Sequence, residues 1–407
     1  MEQQASAIDA TPAAEPRPLR ILGIGNARSV IFLRWAWRLQ ELNHDVTIVS
    51  DRFTAMPDEL SGLRVYDIRR LSLLNRVRGV RRLFFGQAIA RLARDLEIDV
   101  IHGHYLLPYG YWAALGAEPV PLVISPWGTD VLVDGQKPGQ SNDRARRAVG
   151  AADMVVVSSQ ASARAALKLG ASEDKIEQIV WYADLRRFGP QHRDPLLRPQ
   201  LGWPDDALIA LSLRNFRPDT NIDVIVRAFH RVIEHEPRAR LLLAAKGGPL
   251  EGRIRDLVAD LGLDAQVRFC VADEAHLPGL VASADVLVAM TQSDSTPASL
   301  LEAMASGLPA ICADAASIDE WIGSGDGGQI VAQRDEAALA DALLALLSDS
   351  ALRHTHGTRN REFIAERLPT AGPGPSLEDV YRRVIASSAA SGRPVRPDPS
   401  VLGLSKV

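Results

Sequence analysis

Short runs rich in valine, isoleucine and leucine alternate along this chain with longer stretches whose apolar residues recur at helical spacing. That alternation marks parallel α/β structure, in which helices cover both faces of a buried sheet. The first half offers strand candidates at 20–24, 45–50, 64–68, 98–102, 121–125 and 153–158. The pattern restarts at 207–213, 240–245, 266–271, 285–290, 308–313 and 328–332. Between strands, Ile222, Ile225, Val226, Phe229, Val232 and Ile233 define the buried face of a helix over 222–233. Two successive strand sets imply two Rossmann-like sheets, with a boundary where Pro190, Pro195, Pro199 and Pro204 cluster. The expected organisation is a tail over 1–18, an N-terminal domain over 19–185 and a C-terminal domain over 186–375. A closing helix over 376–388, with Leu377, Val380, Tyr381 and Val384 on one face, is expected to return towards the N-terminal domain. Residues 389–407 read as a disordered tail.

Composition narrows the class. A length of 407 residues exceeds one ordinary core and favours two domains. Apolar and charged contents of 46% and 24% belong to a soluble globular protein. The net charge of −4 argues against nucleic acid as a partner, since no basic excess is present to neutralise phosphates. Cys270 and Cys312 lie in apolar runs without metal-ligand spacing, which points to reduced thiols and a cytoplasmic protein. No window approaches the roughly 18 apolar residues of a membrane span, and the first 18 residues lack the pattern of a signal peptide.

Chemistry concentrates in "SDSTPASLLEAMASGLPAICAD", residues 293–314. Glu302 interrupts a run of small and apolar residues, with Asp294 eight positions earlier. A helix is expected there, with Thr296 as cap, Pro297 at its first position, and Gly307 and Pro309 ending it. The free amides of Ala298, Ser299 and Leu300 would then form an anion site backed by the helix dipole. Leu301, Met304 and Ala305 make the core stripe, so Ser299 and Glu302 share another face. From these residues alone, Glu302 is either a solvated glutamate or an acceptor for ligand hydroxyls.

Other strand ends carry candidates. Arg214 follows the strand at 207–213, and Lys246 follows 240–245. His102 and His104 follow the strand at 98–102 as "HGH", and no third residue has the spacing to complete a metal site. "GIGNARS" at 23–29 holds only two glycines of a dinucleotide fingerprint, so Gly25 and Asn26 fit better in a loop approaching a phosphate or an acceptor. No Asp-x-Asp pair falls in a plausible cleft loop, which argues against a catalytic metal. The basic, amphipathic run 69–94, with Arg76, Arg78, Arg81 and Arg82 beside Leu83, Phe84 and Phe85, is a candidate membrane-surface segment. A solvated helix packed on its own sheet is the plainer reading.

Together these stretches resemble retaining family 4 glycosyltransferases of the GT-B fold (glycosyl transferases group 1). The motifs are "TPASLLEAMASGLPAI", "VIHGHYLLPYGYWAALG" (100–116), "ISPWGTDVL" (124–132), "LSLRNFRPDTNIDVIVRAF" (211–229) and "DEWIGSGDGG" (319–328). They run in family order from about residue 19 to 386. The resemblance implies two parallel-sheet Rossmann-like domains facing across a cleft and sugar transfer from a UDP- or GDP-sugar to an acceptor hydroxyl. It implies that Glu302 binds the nucleotide ribose, that the 298–300 amides hold the diphosphate, and that Asp294 reaches donor-sugar hydroxyls where most relatives carry glutamate. By the same resemblance Arg214 stabilises the departing diphosphate, and His104 faces the transferred sugar. Asp130 and Trp127 lie on the acceptor side, and Lys246 stands in for a lysine that relatives carry where this chain has Thr220 and Asn221. No cofactor beyond the sugar donor is implied. The acceptor would be a lipid-linked saccharide, a polysaccharide precursor or a small natural product, met in the cytoplasm or at the inner face of the membrane. A nucleotide-sugar 2-epimerase of the same fold and a non-catalytic nucleotide-sugar-binding protein fit the same residues.

Overall fold

The computed structural model describes residues 17–53, 60–71, 84–180, 186–271, 273–323, 325, 327–368 and 374–392. Arg76, Arg78, Arg81 and Arg82, on which the membrane-surface reading rests, lie outside the described residues, as do the outer parts of both expected tails. Among the described residues, no helix is long and apolar enough to cross a membrane.

Among the described residues, thirteen strands form two parallel sheets. The first contains β1 (Arg20–Ile24), β2 (Asp45–Ser50), β3 (Arg64–Asp67), β4 (Val100–His104), β5 (Leu122–Ser125), β6 (Met154–Val157) and β7 (Ile176–Gln178). Its spatial order is β3-β2-β1-β4-β5-β6-β7. The second contains β8 (Leu208–Ser212), β9 (Ala239–Ala244), β10 (Val267–Cys270), β11 (Val286–Ala289), β12 (Ala310–Ala313) and β13 (Gly328–Val331), in the order β10-β9-β8-β11-β12-β13. Strand order reverses between β1 and β4 in one sheet and between β8 and β11 in the other. Crevices at the carboxyl ends of such switch points are where open α/β sheets bind ligands.

Two departures from the pattern reading have physical causes. β7 is a three-residue edge strand with a single apolar side chain, too short to show a period. β4 begins two positions later than expected. Asp99 is spent in the turn before it, where its carboxylate accepts from Arg17 and from the Arg20 amide. Consequently His102 and His104 lie within β4, on one face, with ring centroids 3.9 Å apart.

The helix Val30–Glu41 buries Phe32, Leu33, Trp35, Ala36 and Leu39. The final helix, Gly374–Ala390, packs Leu377, Val380, Tyr381 and Val384 into the same cluster as these residues and Ile21. A hydrogen bond of 2.8 Å from Trp35 Nε1 to Tyr381 Oη ties the chain's last helix to its first.

Candidate active site

Arg214 leaves the end of β8, and Asp294 sits in the loop after β11, so the second sheet's switch point brings them together. Arg214 Nη2 donates to Asp294 Oδ2 at 2.7 Å. The following helix spans Ala298–Ala305, and Pro297 rather than Thr296 precedes it. Thr296 does not cap. Its hydroxyl donates to the Ser158 carbonyl at 2.8 Å and accepts from Trp321 Nε1 at 3.2 Å. A stronger tertiary use has replaced the local one. Of the three amides expected to face an anion, Leu300 is already bonded to the Pro297 carbonyl at 3.0 Å. Those of Ala298 and Ser299 have no acceptor within the helix. Among the described residues, the buried Ser299 hydroxyl beside them has no hydrogen-bond partner.

Glu302 proves to be buried, with 5% of its side chain exposed. Its Oε1 accepts from Arg34 Nη1 at 2.6 Å, across the boundary between the two sheets. The other edge of the Arg34 guanidinium is bidentate on Glu274, at 2.9 and 3.1 Å. Arg187 completes the group, donating to the Glu274 carboxylate at 2.9 Å and to its carbonyl at 2.6 Å. Burial opposes the charge on Arg34, yet the two carboxylates outweigh it and raise the pKa. Burial likewise pushes Glu274 upward, but Arg34 and Arg187 more than offset it and leave its pKa lowered. Glu302 is pushed up by burial and only partly pulled back by Arg34. Such a pair is costly to break, because the survivor is left as an uncompensated buried charge.

The facing wall comes from the first sheet. His104 is completely buried among Phe32, Trp35, His102 and Trp127. Burial, followed by the neighbouring His102, lowers its pKa well below the ordinary value, so the ring is neutral. Asp130, expected on the acceptor side, is also wholly buried. Its carboxylate accepts from the amides of Leu106, Trp127 and Gly128, which fixes the loop after β5. Burial pushes its pKa up to about 6 in spite of those amides. Asp130 therefore acts on its surroundings by holding this loop. The loop it holds reaches the donor side. A Cβ on Gly128 would come within 2.8 Å of the Ser295 nitrogen, so only glycine allows this approach to the Asp294–Ser295 backbone.

Gly25 and Asn26 follow β1 at the first sheet's switch point. A Cβ on Gly25 would strike the Phe32 ring at 2.9 Å, and Asn26 Oδ1 accepts from the Arg28 amide at 3.0 Å to shape the turn. Lys246 is exposed beyond β9, its amide bonded to Asn215 Oδ1 at 3.0 Å. Arg34, Glu274, Arg187 and the serines that join the sheets escaped the sequence reading. At the serine cluster, Ser295 Oγ lies 2.8, 2.8 and 2.7 Å from the hydroxyls of Ser158, Ser159 and Ser162. The available signal for Arg34 was a lone charge inside the apolar run Ile31–Ala36. Among the described residues, no three His, Cys, Asp or Glu side chains group as metal ligands.

Two Rossmann-like domains built on parallel sheets define the GT-B fold, and Arg214, Asp294 and the amides of Ala298 and Ser299 lie at the switch point of the second sheet. Residues 20–159 match the model described as glycosyl transferase 4-like, and residues 194–363 match glycosyl transferases group 1. The chain is 30% identical over 329 residues to a D-inositol 3-phosphate glycosyltransferase of Kineococcus radiotolerans, covering 73% of this chain and 74% of that one. It is 27% identical over 307 residues to an N-acetyl-alpha-D-glucosaminyl L-malate synthase of Bacillus anthracis, covering 74% and 79%. The fold is shared with Anabaena HepE, solved with UDP and glucose, at a TM-score of 0.72, 16% identity, and 90% and 100% coverage. It is also shared with sucrose-phosphate synthase of Thermosynechococcus elongatus, at a TM-score of 0.73, 19% identity, and 90% and 99% coverage. The chain belongs to the glycosyl transferases group 1 family, and it is a glycosyltransferase.

Proposed function

We propose that the enzyme transfers a sugar, with retention of anomeric configuration, from a UDP- or GDP-sugar bound against the second sheet to a hydroxyl presented by the first. The observation that carries this reading is the convergence at the β8–β11 switch point of Arg214, Asp294 and the open amides of Ala298 and Ser299, with Glu302 one turn further along the same helix. In this reading Arg214 and the amides take up charge as the diphosphate leaves, so no metal is required of the site. Glu302 accepts from the ribose, and Asp294 from the donor sugar. Among the described residues, no pair of carboxylates is arranged for a double displacement. The acceptor hydroxyl therefore attacks the face that the diphosphate vacates, and a phosphate oxygen takes its proton.

The names of the two relatives point to small hydroxylated acceptors that carry negative charge, malate and inositol 3-phosphate. Arg28 and Arg52, both exposed just beyond the carboxyl ends of β1 and β2, suit an acceptor of that kind. Thermal-shift titration against UDP-sugars and GDP-sugars tests the donor assignment. One base should raise the midpoint, since a ligand held only by the folded state stabilises it. No shift with either base overturns the reading.

A further inference from the structure

We propose that Arg34 is a positioning residue for donor binding: anchored on Glu274, it reaches over from the first domain and keeps Glu302 an ionised acceptor for ribose hydroxyls. This rests on the nucleotide-sugar reading of the Glu302 site. The geometry divides the guanidinium into two halves. Nε and Nη2 are committed to Glu274, whereas Nη1 alone serves Glu302 Oε1. Among the described residues, nothing bonds Glu302 Oε2, so a carboxylate oxygen remains for a ligand while its counter-charge stays in place. Arg34 thus supplies the positive charge from outside the domain that carries Glu302. Glu274, itself held by Arg187, fixes where that charge stands.

Among the described residues, few charged groups face Glu302. Arg34 comes from the helix Val30–Glu41, Glu274 from the turn after β10, and Arg187 lies beyond Glu274. The helix Ser350–Arg367, packed on the other side of Ala298–Ala305, sets Asn360 against the Leu308 carbonyl and Arg361 against Gly307, past the end of the Glu302 helix. With Arg34 removed, burial and the like charge of Glu274 favour the protonated acid, and the more distant Arg187 opposes them. A carboxyl raised in this way is ionised only above its pKa, so binding should then improve as pH rises.

Calorimetric titration of the full-length protein with UDP and with GDP, at several values between pH 6 and 9, tests the proposal. Each variant is expressed as a ratio to wild type at the same pH, which cancels titration of the nucleotide. Arg34→Gln should lose tenfold or more in affinity at the acid end of this range and progressively less as pH rises. Arg34→Lys keeps the charge and should stay within a few-fold of wild type at every pH. The double variant Arg34→Gln/Glu302→Gln removes both buried charges. It should bind like Glu302→Gln alone, without pH dependence. A loss in Arg34→Gln that is the same at all pH values, or no loss, overturns the proposal. Failure of wild type to bind either nucleotide, or wild-type affinity in Glu302→Gln, would bring down the site reading and this inference with it. Weakened binding in Glu302→Gln with none in Arg34→Gln removes only the role of Arg34.

Discussion

Arg214 Nη2 and Asp294 Oδ2 stand 2.7 Å apart, each about one-fifth exposed, and they join the end of β8 to the loop that leads from β11 into the Ala298–Ala305 helix. The guanidinium is paired with the carboxylate that the proposed function assigns to the donor sugar. A donor that engages both would place negative phosphate oxygens beside the arginine without moving it far. In the proposed reading, the pair sets the spacing between the leaving group and the sugar.

Replacing Arg214 by lysine should leave the thermal midpoint near wild type and lower turnover by about tenfold or more. A planar fork can hold Asp294 and a phosphate oxygen together, whereas an ammonium is a single point charge. Losing a donor aimed at developing charge costs on the order of 10²-fold. Steady-state kinetics on the lysine variant checks this. Undiminished turnover would take Arg214 out of contact with the leaving group.

Asp294 and Glu302 should separate cleanly by ligand. Glu302→Gln loses a charge-assisted acceptor, worth roughly 1.5–3 kcal/mol per hydrogen bond. It should weaken both nucleotide sugar and free nucleotide by about tenfold or more. Asp294→Asn should weaken the nucleotide sugar and spare the free nucleotide. Titration of both variants with both ligands makes the comparison, and parallel losses in the two variants would show that the assignment of sugar and ribose is wrong.

Twelve of the thirteen strands were legible because a buried parallel strand is a run of apolar residues, and the thirteenth is too short to have a pattern. Glu302 was equally visible as a charge in an apolar segment, and so in principle was Arg34. Their pairing was not visible. The two residues lie 268 positions apart on different domains, and no local period reports how two domains dock. Thr296 misled for the opposite reason. Its place before Pro297 satisfies every local rule for a cap, while its hydroxyl bonds to Ser158 of the other domain. The histidines of β4 were misplaced because Asp99, counted into the strand, belongs to the turn.

The buried histidines predict an acid-sensitive first domain. Burial lowers His102 to about 3, and burial with His102 lowers His104 well below 6.5. Trp35 can only donate to Tyr381 Oη, so the tyrosine proton is free to go to His102 Nδ1, leaving Nε2–H to donate to Ser125 Oγ at 2.8 Å. The neutral ring is thus fully bonded. As pH falls below 6.5, the unfolded chain binds protons that the folded chain refuses, so stability declines with acidification. Each histidine contributes a slope of up to about 1.4 kcal/mol per pH unit. Urea unfolding between pH 5 and 7 should show this decline, and His102→Gln should reduce the slope by about one proton. An identical slope in that variant would assign the effect to other groups.

Ser295 is the last residue whose neighbours demand a consequence. Its hydroxyl has one proton and two lone pairs, matching the three hydroxyls around it on Ser158, Ser159 and Ser162. Those three belong to the end of β6 and the start of the helix Gln160–Lys168 in the first domain, while Ser295 stands between Asp294 and Thr296 in the second. The same helix start is held from across the boundary by Glu320, which accepts from the amides of Gln160 and Ala161 at 3.1 and 3.2 Å. Removing the central hydroxyl leaves buried partners without a bond, at a cost of about 1–3 kcal/mol. Domain docking should bear that loss, and with it the position of Asp294. Ser295→Ala should therefore raise the KM for the nucleotide sugar more than it lowers kcat. Ser295→Thr, which keeps the hydroxyl, should recover part of the loss where its extra methyl can be fitted. Kinetics of both variants alongside urea unfolding decides the matter: a fall in stability with an unchanged KM would mean that the serine cluster holds the domains together without setting the donor loop.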